Sequence, residues 1–292
     1  MEEFVKEVFL QLAQRGYRTA MVSTQHLLEL REEIERRLEQ GMLNKEFFQE
    51  RLAWFSFKIP ENLPKAKSLI VVAVPRPQTQ AVFTWNGKSK PLTLPPTYTA
   101  YRETTKQIVD LLAEIMNQNG YHVARTALPL KLLAVRSGLA EYGRNNICYV
   151  SGMGSFLQLV AVYSDLPIEE DSWQEGRVMK SCENCELCRL ACPTGAISSD
   201  RFLLRVERCI VYHNEKKTDI PFPEWLNPLW HNCVVGCLHC QRACPENKNF
   251  LKWVGEKEQF SEEETSLLLD GIPRDRLPTA TITKLEHLSL TD

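Results

Sequence analysis

Two short runs of cysteines have a spacing that suits metal ligation. Residues 182–193 read C-x2-C-x2-C-x3-C-P, and residues 237–245 read C-x2-C-x3-C-P. The first pattern is typical of a ferredoxin-type [4Fe–4S] cluster, and in two-cluster modules the fourth cysteine of a run binds the other cluster. Zinc sites usually pair two C-x2-C hooks, and disulfides do not readily join cysteines packed this densely. The runs therefore predict two [4Fe–4S] clusters.

The ligand count leaves one place open. Two cubanes need about eight thiolates, and the runs supply seven. Cys209, in an Arg-Cys-Ile stretch, and Cys233, spaced C-x3-C from the second run, are both candidates for the eighth. Cys148 lies in an apolar stretch, where free cysteine often packs as a small buried hydrophobe. The predicted ligands are Cys182, Cys185, Cys188 and Cys244 for cluster one, and Cys192, Cys237, Cys240 with either Cys209 or Cys233 for cluster two.

The composition is that of an ordinary globular protein. The chain has 292 residues, of which 25% are charged and 43% hydrophobic. The formal net charge of −2 gives no basic footprint for a nucleic acid. We expect no signal peptide, no twin-arginine signal and no membrane span, since a span needs about 18 consecutive apolar residues. Ten cysteines in such a chain are expected to bind metal in a reducing cytoplasm.

The pattern of apolar residues predicts an α+β chain in three parts. Residues 1–175 form the first domain, residues 176–250 the two-cluster ferredoxin-like module, and residues 251–292 a short helical tail. Residues 68–74 are continuously apolar, which predicts a buried strand, and residues 75–98 are predicted to be a long loop or a hairpin. Further strands are predicted at 17–22, 121–125, 147–150 and 156–163, and helices at 1–15, 24–39, 99–118, 128–137, 262–269 and 281–288.

Several short motifs accompany the cysteine runs. They are Arg136-Ser-Gly-Leu139, Tyr142-Gly-Arg-Asn145, Gly154-Ser-Phe156, Ser164-Asp-Leu-Pro167, Thr194-Gly-Ala-Ile197, Arg208-Cys-Ile210 and Gly236-Cys237. In order and spacing, over about residues 60–250, they resemble the epoxyqueuosine reductases and, more distantly, the reductive dehalogenases. The resemblance implies a nitroreductase-like first domain holding base-off cobalamin, and a two-cluster module passing electrons to its cobalt. It also implies that Cys209 completes cluster two, because the family has a cysteine in the same Arg-Cys-Ile context.

The same resemblance implies a set of cobalamin contacts. Glycines at these positions permit tight turns and a close approach to a large planar ligand. The asparagines and serines offer hydrogen bonds to the corrin amides or the nucleotide tail. The cofactor would carry the chemistry, while the protein positions and tunes it. The implied contact residues are Ser137, Gly138, Tyr142, Gly143, Arg144, Asn145, Asn146, Gly154 and Ser155.

One segment departs from the family pattern. Epoxyqueuosine reductases carry an acidic proton donor just before the Arg-Ser-Gly motif, whereas residues 124–135 here contain no aspartate or glutamate. Removing an epoxide oxygen as water needs a proton source. Glu141 is the nearest acid, and Tyr142, Tyr149 and Tyr163 are available phenols. Together with a net charge that gives tRNA little electrostatic reason to bind, this predicts a substrate other than queuosine in tRNA.

Three functions are compatible with these observations. The first is a cobalamin-dependent reductase, and the second is an electron-transfer protein that reductively activates a separate corrinoid protein without substrate chemistry of its own. The third is an iron–sulfur protein whose first domain has lost its cofactor. The reductase and the electron-transfer protein both need an external low-potential electron donor. His213 and His231 are expected to be surface or capping residues, and Trp225, Trp230 and Trp253 to shield the clusters from water.

Overall fold

Helices and strands mix along the chain, whose structure is a computed structural model describing residues 2–217 and 219–290. Residues 1 and 291–292, at the outer bounds of the predicted first domain and tail, lie outside the described residues. The strands are β1 (Arg18–Ser23), β2 (Ser68–Pro75), β3 (Gln78–Trp85), β4 (Lys88–Leu94), β5 (Val123–Arg125), β6 (Glu141–Tyr142), β7 (Cys148–Tyr149), β8 (Leu157–Ser164) and β9 (Val254–Phe260). The helices are α1 (Glu2–Gln14), α2 (Leu27–Glu39), α3 (Lys45–Arg51), α4 (Tyr101–Asn117), α5 (Leu130–Arg136), α6 (Leu187–Ala191), α7 (Ile210–Asn214), α8 (His239–Arg242), α9 (Glu262–Leu269) and α10 (Thr279–His287).

The apolar run at residues 68–74 forms strand β2, inside a four-stranded sheet of order β1-β2-β8-β5. Its neighbours β1 and β8 both pair with it in antiparallel register. Helices cover both faces: α1 and α4 pack with Ile70 and Val72, and α2 and α5 pack with Leu69 and Val71. A strand covered on both faces has no solvent-facing side chain, which explains why this run lacks the polar–apolar alternation of a half-exposed strand.

A second sheet joins two segments that the sequence prediction kept apart. Residues 75–98 adopt the hairpin alternative, as β3 and β4. Strand β9 belongs to the tail that was predicted to be helical, and it pairs in parallel with β3. Phe83 stacks on Phe260 with ring centroids 4.8 Å apart. The helical prediction missed β9 because its sequence, VGEKEQF, is charged and hydrophilic, as an edge strand tolerates.

Loops and short helices make up the cysteine-rich segment between β8 and β9. Cys192 and Cys244 each precede a proline, and both have extended backbone, with φ −79° and ψ 107° and 124° respectively. A residue before proline is biased away from the helical region, so each run ends its turn at its last cysteine. No helix among the described residues has both the length and the apolar character needed to cross a membrane.

Candidate functional site

Four thiols predicted to bind cluster one surround a single pocket. Cys182 ends a short 3-10 turn that begins at Lys180, and Cys188 lies in α6. Cys244 reaches the same pocket from beyond α8, so the last cysteine of the second run meets the first three of the first run. The pocket is lined by Cys182, Cys185, Cys188 and Cys244 together with Gly143, Arg144, Asn145, Tyr149 and Leu187.

The remaining cysteines of the runs lie together with Cys209 as a second group. Burial raises the pKa of Cys209 to about 11, and the neighbouring thiols of Cys237 and Cys192 add to the shift. Burial likewise raises the pKa of Cys240, and the nearby thiols of Cys237, Cys209 and Cys192 raise it further. The thiol of Cys188, a member of the first group, also raises the pKa of Cys240. The two groups are therefore adjacent.

The thiols of the first group show the same electrostatic coupling. The pKa of Cys188 is raised to about 11, first by burial and then by the nearby thiols of the other three members. The pKa of Cys182 is also raised by burial, although a hydrogen bond with Arg144 opposes the shift. Thiols of this kind are protonated at neutral pH, so metal binding has to release protons.

Two further cysteines, Cys233 and Cys148, are not among these eight thiols. The backbone of Cys233 forms a bridge with Thr93 of the hairpin, and burial raises the pKa of its thiol to about 12. Its electrostatic neighbours are Arg242 and Cys237. Cys148 is buried in the core of the first domain, and its Sγ donates a hydrogen bond to the carbonyl oxygen of Lys131 at 3.4 Å. Cys148 is thus a core residue, as predicted.

The donor set of these two groups fits two cubanes. Among the described residues, no three histidine, cysteine or carboxylate side chains are arranged to hold a single metal ion. A [4Fe–4S] cluster takes four thiolates, one on each iron. Each group offers four thiols, so the residues present could hold one cluster each.

The Tyr-Gly-Arg-Asn motif contributes to the wall of the first pocket. Arg144 donates hydrogen bonds to the carbonyl oxygens of Cys182 and Glu183, at 2.9 and 3.2 Å. The backbone N–H of Tyr142 donates to the carbonyl of residue 177, and Asn146 adopts a left-handed backbone with φ 62°. These contacts fix the turn that carries Cys182.

A second set of contacts in this wall involves Tyr149. Asn145 donates a hydrogen bond to the Tyr149 hydroxyl at 2.9 Å, and Tyr149 is also hydrogen bonded to the thiol of Cys244. Burial, together with this thiol, raises the pKa of Tyr149 well above its ordinary value. A Cβ on Gly143 would lie 2.6 Å from the Tyr149 ring, so glycine is needed there. Tyr149 therefore contacts a cluster-one thiol directly.

Ser137 and Gly138 lie elsewhere, beneath residues 171–175. The Ser137 hydroxyl donates to the carbonyl of Ala134 at 3.0 Å, and the Ser172 hydroxyl donates to the carbonyl of Ser137 at 2.9 Å. A Cβ on Gly138 would lie 3.0 Å from the side-chain nitrogen of Gln174. Ser137 is buried here, whereas Gly138 is exposed.

Gly154 and Ser155 contact the cysteine-rich segment. The Ser155 hydroxyl donates to the Gln241 side chain at 2.8 Å, and the Ser155 backbone N–H donates to the Asn247 side chain at 2.8 Å. Asn247 is fully buried, and a Cβ on Gly154 would collide with its side-chain oxygen. These residues therefore contact the cysteine-rich segment through Gln241 and Asn247.

The nine residues implied to contact cobalamin lie in three places, and polar groups expected to face the corrin are hydrogen bonded within the chain. Ser137 bonds to Ala134, Asn145 to Tyr149, and Ser155 to Gln241.

The segment before the Arg-Ser-Gly motif contains no acidic residue. Its helix α5 buries Leu132 and Leu133, and the nearest acid, Glu141, is exposed. The Tyr163 hydroxyl donates to the carbonyl of Lys58 at 3.2 Å, and burial raises its pKa to about 12. Burial also raises the pKa of Tyr142. Tyr163 and Tyr149 thus hydrogen bond within the protein.

A cleft lies beside the second group of thiols. Its walls include Trp225 and Trp230, two of the predicted shielding tryptophans. His213 packs edge-on against Trp225, with ring centroids 5.3 Å apart, and its Nε2 lies 2.9 Å from the carbonyl oxygen of Glu207. His231 packs against Phe222, and burial lowers its pKa. Trp253 packs against Phe250 instead.

Tyr98 is a residue near the thiols that sequence reasoning missed. Its hydroxyl is hydrogen bonded to the carboxylate of Glu215, and burial and that carboxylate raise its pKa, with Cys209 and Cys233 adding to the shift. Gly236, with φ 77°, lies against the Tyr98 ring, where a Cβ would come within 2.5 Å. Tyr98 follows the hairpin and no motif marks it, so only the fold brings it to this place.

The cysteine-rich segment is similar in sequence to known iron–sulfur proteins. The family described as "4Fe-4S double cluster binding domain" matches residues 181–247. The chain is 35% identical over 122 residues to the epoxyqueuosine reductase of Burkholderia pseudomallei, covering 40% of this chain and 29% of that protein. It is 33% identical over 116 residues to that of Yersinia pestis, covering 40% and 27% respectively. The match spans less than a third of the length of either relative.

Solved structures extend the likeness to most of the fold. A selenomethionine-labelled epoxyqueuosine reductase aligns with a TM-score of 0.65 and 21% identity, over 85% of this chain and 67% of that one. An epoxyqueuosine reductase with an epoxyqueuosine-modified tRNA-Tyr stem loop aligns with a TM-score of 0.62 and 20% identity, over 85% and 66%. A catabolic reductive dehalogenase aligns at 0.42 and 15% identity, over 76% and 30%. The chain shares the fold of the epoxyqueuosine reductases, and the predicted resemblance to them is confirmed.

Proposed function

We propose that this chain is an iron–sulfur redox protein whose two [4Fe–4S] clusters relay low-potential electrons. The observation that carries the proposal is the sorting of eight thiols into two adjacent groups of four. Seven of these thiols come from the two runs, and the segment that matches the double-cluster family contains all eight. The proposed ligands are Cys182, Cys185, Cys188 and Cys244 for cluster one, and Cys192, Cys209, Cys237 and Cys240 for cluster two.

The proposed path runs through both clusters in sequence. Cys188 and Cys240 belong to different groups and are close enough for their charges to interact. A cubane takes up one electron at a time, and its potential depends on hydrogen bonds to sulfur and on solvent exposure. In this proposal the Tyr149 hydroxyl, bonded to Cys244, tunes cluster one, and the buried surroundings of Cys240 tune cluster two.

The acceptor we propose is a corrinoid held by a separate protein. The likeness to the epoxyqueuosine reductases favours a corrinoid, while the internal hydrogen bonds of Ser137, Asn145 and Ser155 favour a corrinoid held outside this chain. The proposal takes residues 1–175 as a nitroreductase-like domain that supports the cluster module. It also includes a cytoplasmic setting and an external low-potential donor. This makes the chain an activator of another protein.

The proposal excludes queuosine in tRNA as the substrate. One solved relative carries a tRNA stem loop, and another carries a catalytic loop with an aspartate that swings out of its active site. In this chain the segment 124–135 offers no acid, and Glu141 is exposed. The formal net charge of −2 adds no electrostatic attraction for a polyanion.

The first test measures the clusters. Anaerobic reconstitution of the whole chain, followed by iron and sulfide analysis, should give about eight irons per chain. Electron paramagnetic resonance after reduction should show two interacting one-electron centres. A content well below about six irons, or a single centre, would contradict the two-cluster proposal.

The second test separates an external acceptor from a bound cofactor. The reconstituted chain is mixed with cobalamin, desalted and analysed for cobalt, and is also tested for reduction of added Co(II) corrinoid in a carrier protein. We expect no stoichiometric cobalt retention but electron delivery to the corrinoid. Retained cobalt with a base-off spectrum would overturn the external-acceptor proposal and make the chain a cobalamin-dependent reductase.

A further inference from the structure

The cleft beside the second group of thiols has the composition of a ligand site. Its volume is about 420 Å³, within the range of about 300–1,000 Å³ typical of small-molecule pockets. It is open to solvent, and Trp225 remains 46% exposed on its wall. The lining residues are Pro193, Thr194, Glu207, Arg208, Trp225 and Trp230.

The chain places this cleft immediately next to two proposed ligands of cluster two. Pro193 and Thr194 directly follow Cys192, and the Thr194 hydroxyl lies 3.5 Å from the Cys192 sulfur. Arg208 directly precedes Cys209. A molecule in the cleft would therefore be separated from cluster two by little more than these side chains.

The lining combines two aromatic rings with one cationic and one anionic side chain. Two indole rings offer aromatic faces for stacking. The Arg208 guanidinium is exposed, and among the described residues no hydrogen bond or ion pair engages it. A guanidinium can donate two parallel hydrogen bonds to a phosphate group. Glu207 adds a carboxylate that could accept hydrogen bonds from ligand hydroxyls. The site thus suits an aromatic ring that carries both a phosphate and hydroxyl groups.

We infer that the cleft binds a reduced flavin mononucleotide and is where electrons enter cluster two. This inference rests on the proposed function, because it needs a cluster at Cys192 and Cys209. A nicotinamide would deliver a two-electron hydride, which a cubane cannot accept. A flavin gives single electrons and has the ring, the hydroxylated chain and the phosphate that the cleft can hold.

The transfer balances without a further reactant. The fully reduced anionic flavin gives one electron to the oxidised cluster and becomes its neutral one-electron radical, keeping its ring protons. The cluster changes from the 2+ to the 1+ state. No bond to the protein forms or breaks. The flavin is either free in solution or exposed at the edge of a flavodoxin.

The test uses the reconstituted holoprotein and two probes, flavin mononucleotide and a flavodoxin. Binding is followed by flavin fluorescence, and cluster reduction by the loss of visible absorbance in anaerobic stopped flow. Trp225→Leu should weaken binding by about 5- to 150-fold, since stacking on one aromatic side chain contributes about 1–3 kcal/mol. Arg208→Gln should lower the affinity for flavin mononucleotide to that for riboflavin, which lacks the phosphate.

Matched controls keep the inference distinct from the proposed function. Trp54→Leu removes an exposed tryptophan outside the cleft, and Arg205→Gln removes a guanidinium that pairs with Asp200 at 3.0 Å. Both should bind flavin as the native chain does, and dithionite should reduce the clusters of every variant. Reduction by flavodoxin alone, slowed by Trp225→Leu, would support a protein-borne flavin.

Two failures are distinguishable. If dithionite reduces intact clusters but neither probe reacts faster with the native chain than with Trp225→Leu and Arg208→Gln, the flavin inference is overturned and the proposed function stands. If no clusters assemble, the proposed function itself fails, and the flavin inference fails with it.

Discussion

Replacing Cys209 with alanine tests which thiol completes cluster two. Cys209 is half-buried beside Cys237 and Cys192, whereas the buried Cys233 bridges through its backbone to Thr93 of the hairpin. If Cys209 is the eighth ligand, Cys209→Ala should leave one iron of cluster two without a protein thiolate. Cys233→Ala should leave all eight ligands in place.

The magnitude follows from the number of irons each group can hold. Two cubanes carry about eight irons, so loss of one iron from cluster two leaves about seven and loss of the whole cluster about four. We expect Cys209→Ala to contain between about four and seven irons, with the signal of cluster one retained. Cys233→Ala should keep about eight and lose only about 1 kcal/mol of folding free energy for a small buried cavity.

The assay combines iron analysis with paramagnetic resonance of the reduced protein and urea unfolding. Cys148→Ala is the matched control, because Cys148 is also a buried free cysteine but lies in the core of the first domain. It should keep both clusters. Iron loss in Cys233→Ala together with full occupancy in Cys209→Ala would refute the assignment.

Two other predictions concern the surroundings of the proposed clusters, and a third concerns a largely buried arginine. Tyr149→Phe removes a hydrogen bond to the thiol of Cys244, so the midpoint potential of cluster one should fall while that of cluster two is unchanged in spectroelectrochemical titration. Gly143→Ala places a Cβ 2.6 Å from the Tyr149 ring. We therefore expect cluster one to lose up to about four irons, while cluster two keeps its iron. Arg136→Met removes a largely buried cation that pairs with Glu29, Glu33 and Glu175, so it should lower the free energy of unfolding by about 1–3 kcal/mol in urea titration. The loss is moderate because Glu33 keeps its ion pair with Arg37 and the other two carboxylates are more exposed; unchanged stability would contradict that reasoning.

The features that the sequence alone predicted depend on interactions between residues close together in the chain. The cysteine spacing acts within one or two turns, and proline after Cys192 and Cys244 fixes the backbone of each run's last ligand as extended. The apolar run of β2 likewise predicts its own burial. For the same reason, the chain alone indicated two clusters and a buried strand.

Long-range packing decided the rest. Cysteine spacing left both Cys209 and Cys233 open as the eighth ligand, whereas the fold brings Cys209 beside Cys237 and Cys192 and pairs the Cys233 backbone with Thr93. The same holds for β9, whose charged sequence forms a strand because β3 offers it an edge.

The motif residues show most clearly what the sequence alone does not specify. The sequence determined that the chain contains glycines, serines and asparagines suited to a cofactor, together with the thiols of two clusters. Only the tertiary structure decided that Ser155 bonds to Gln241 and that Asn145 bonds to Tyr149. A polar side chain satisfies its hydrogen bonds with whichever partner the fold brings within reach, and the sequence around it does not specify that partner.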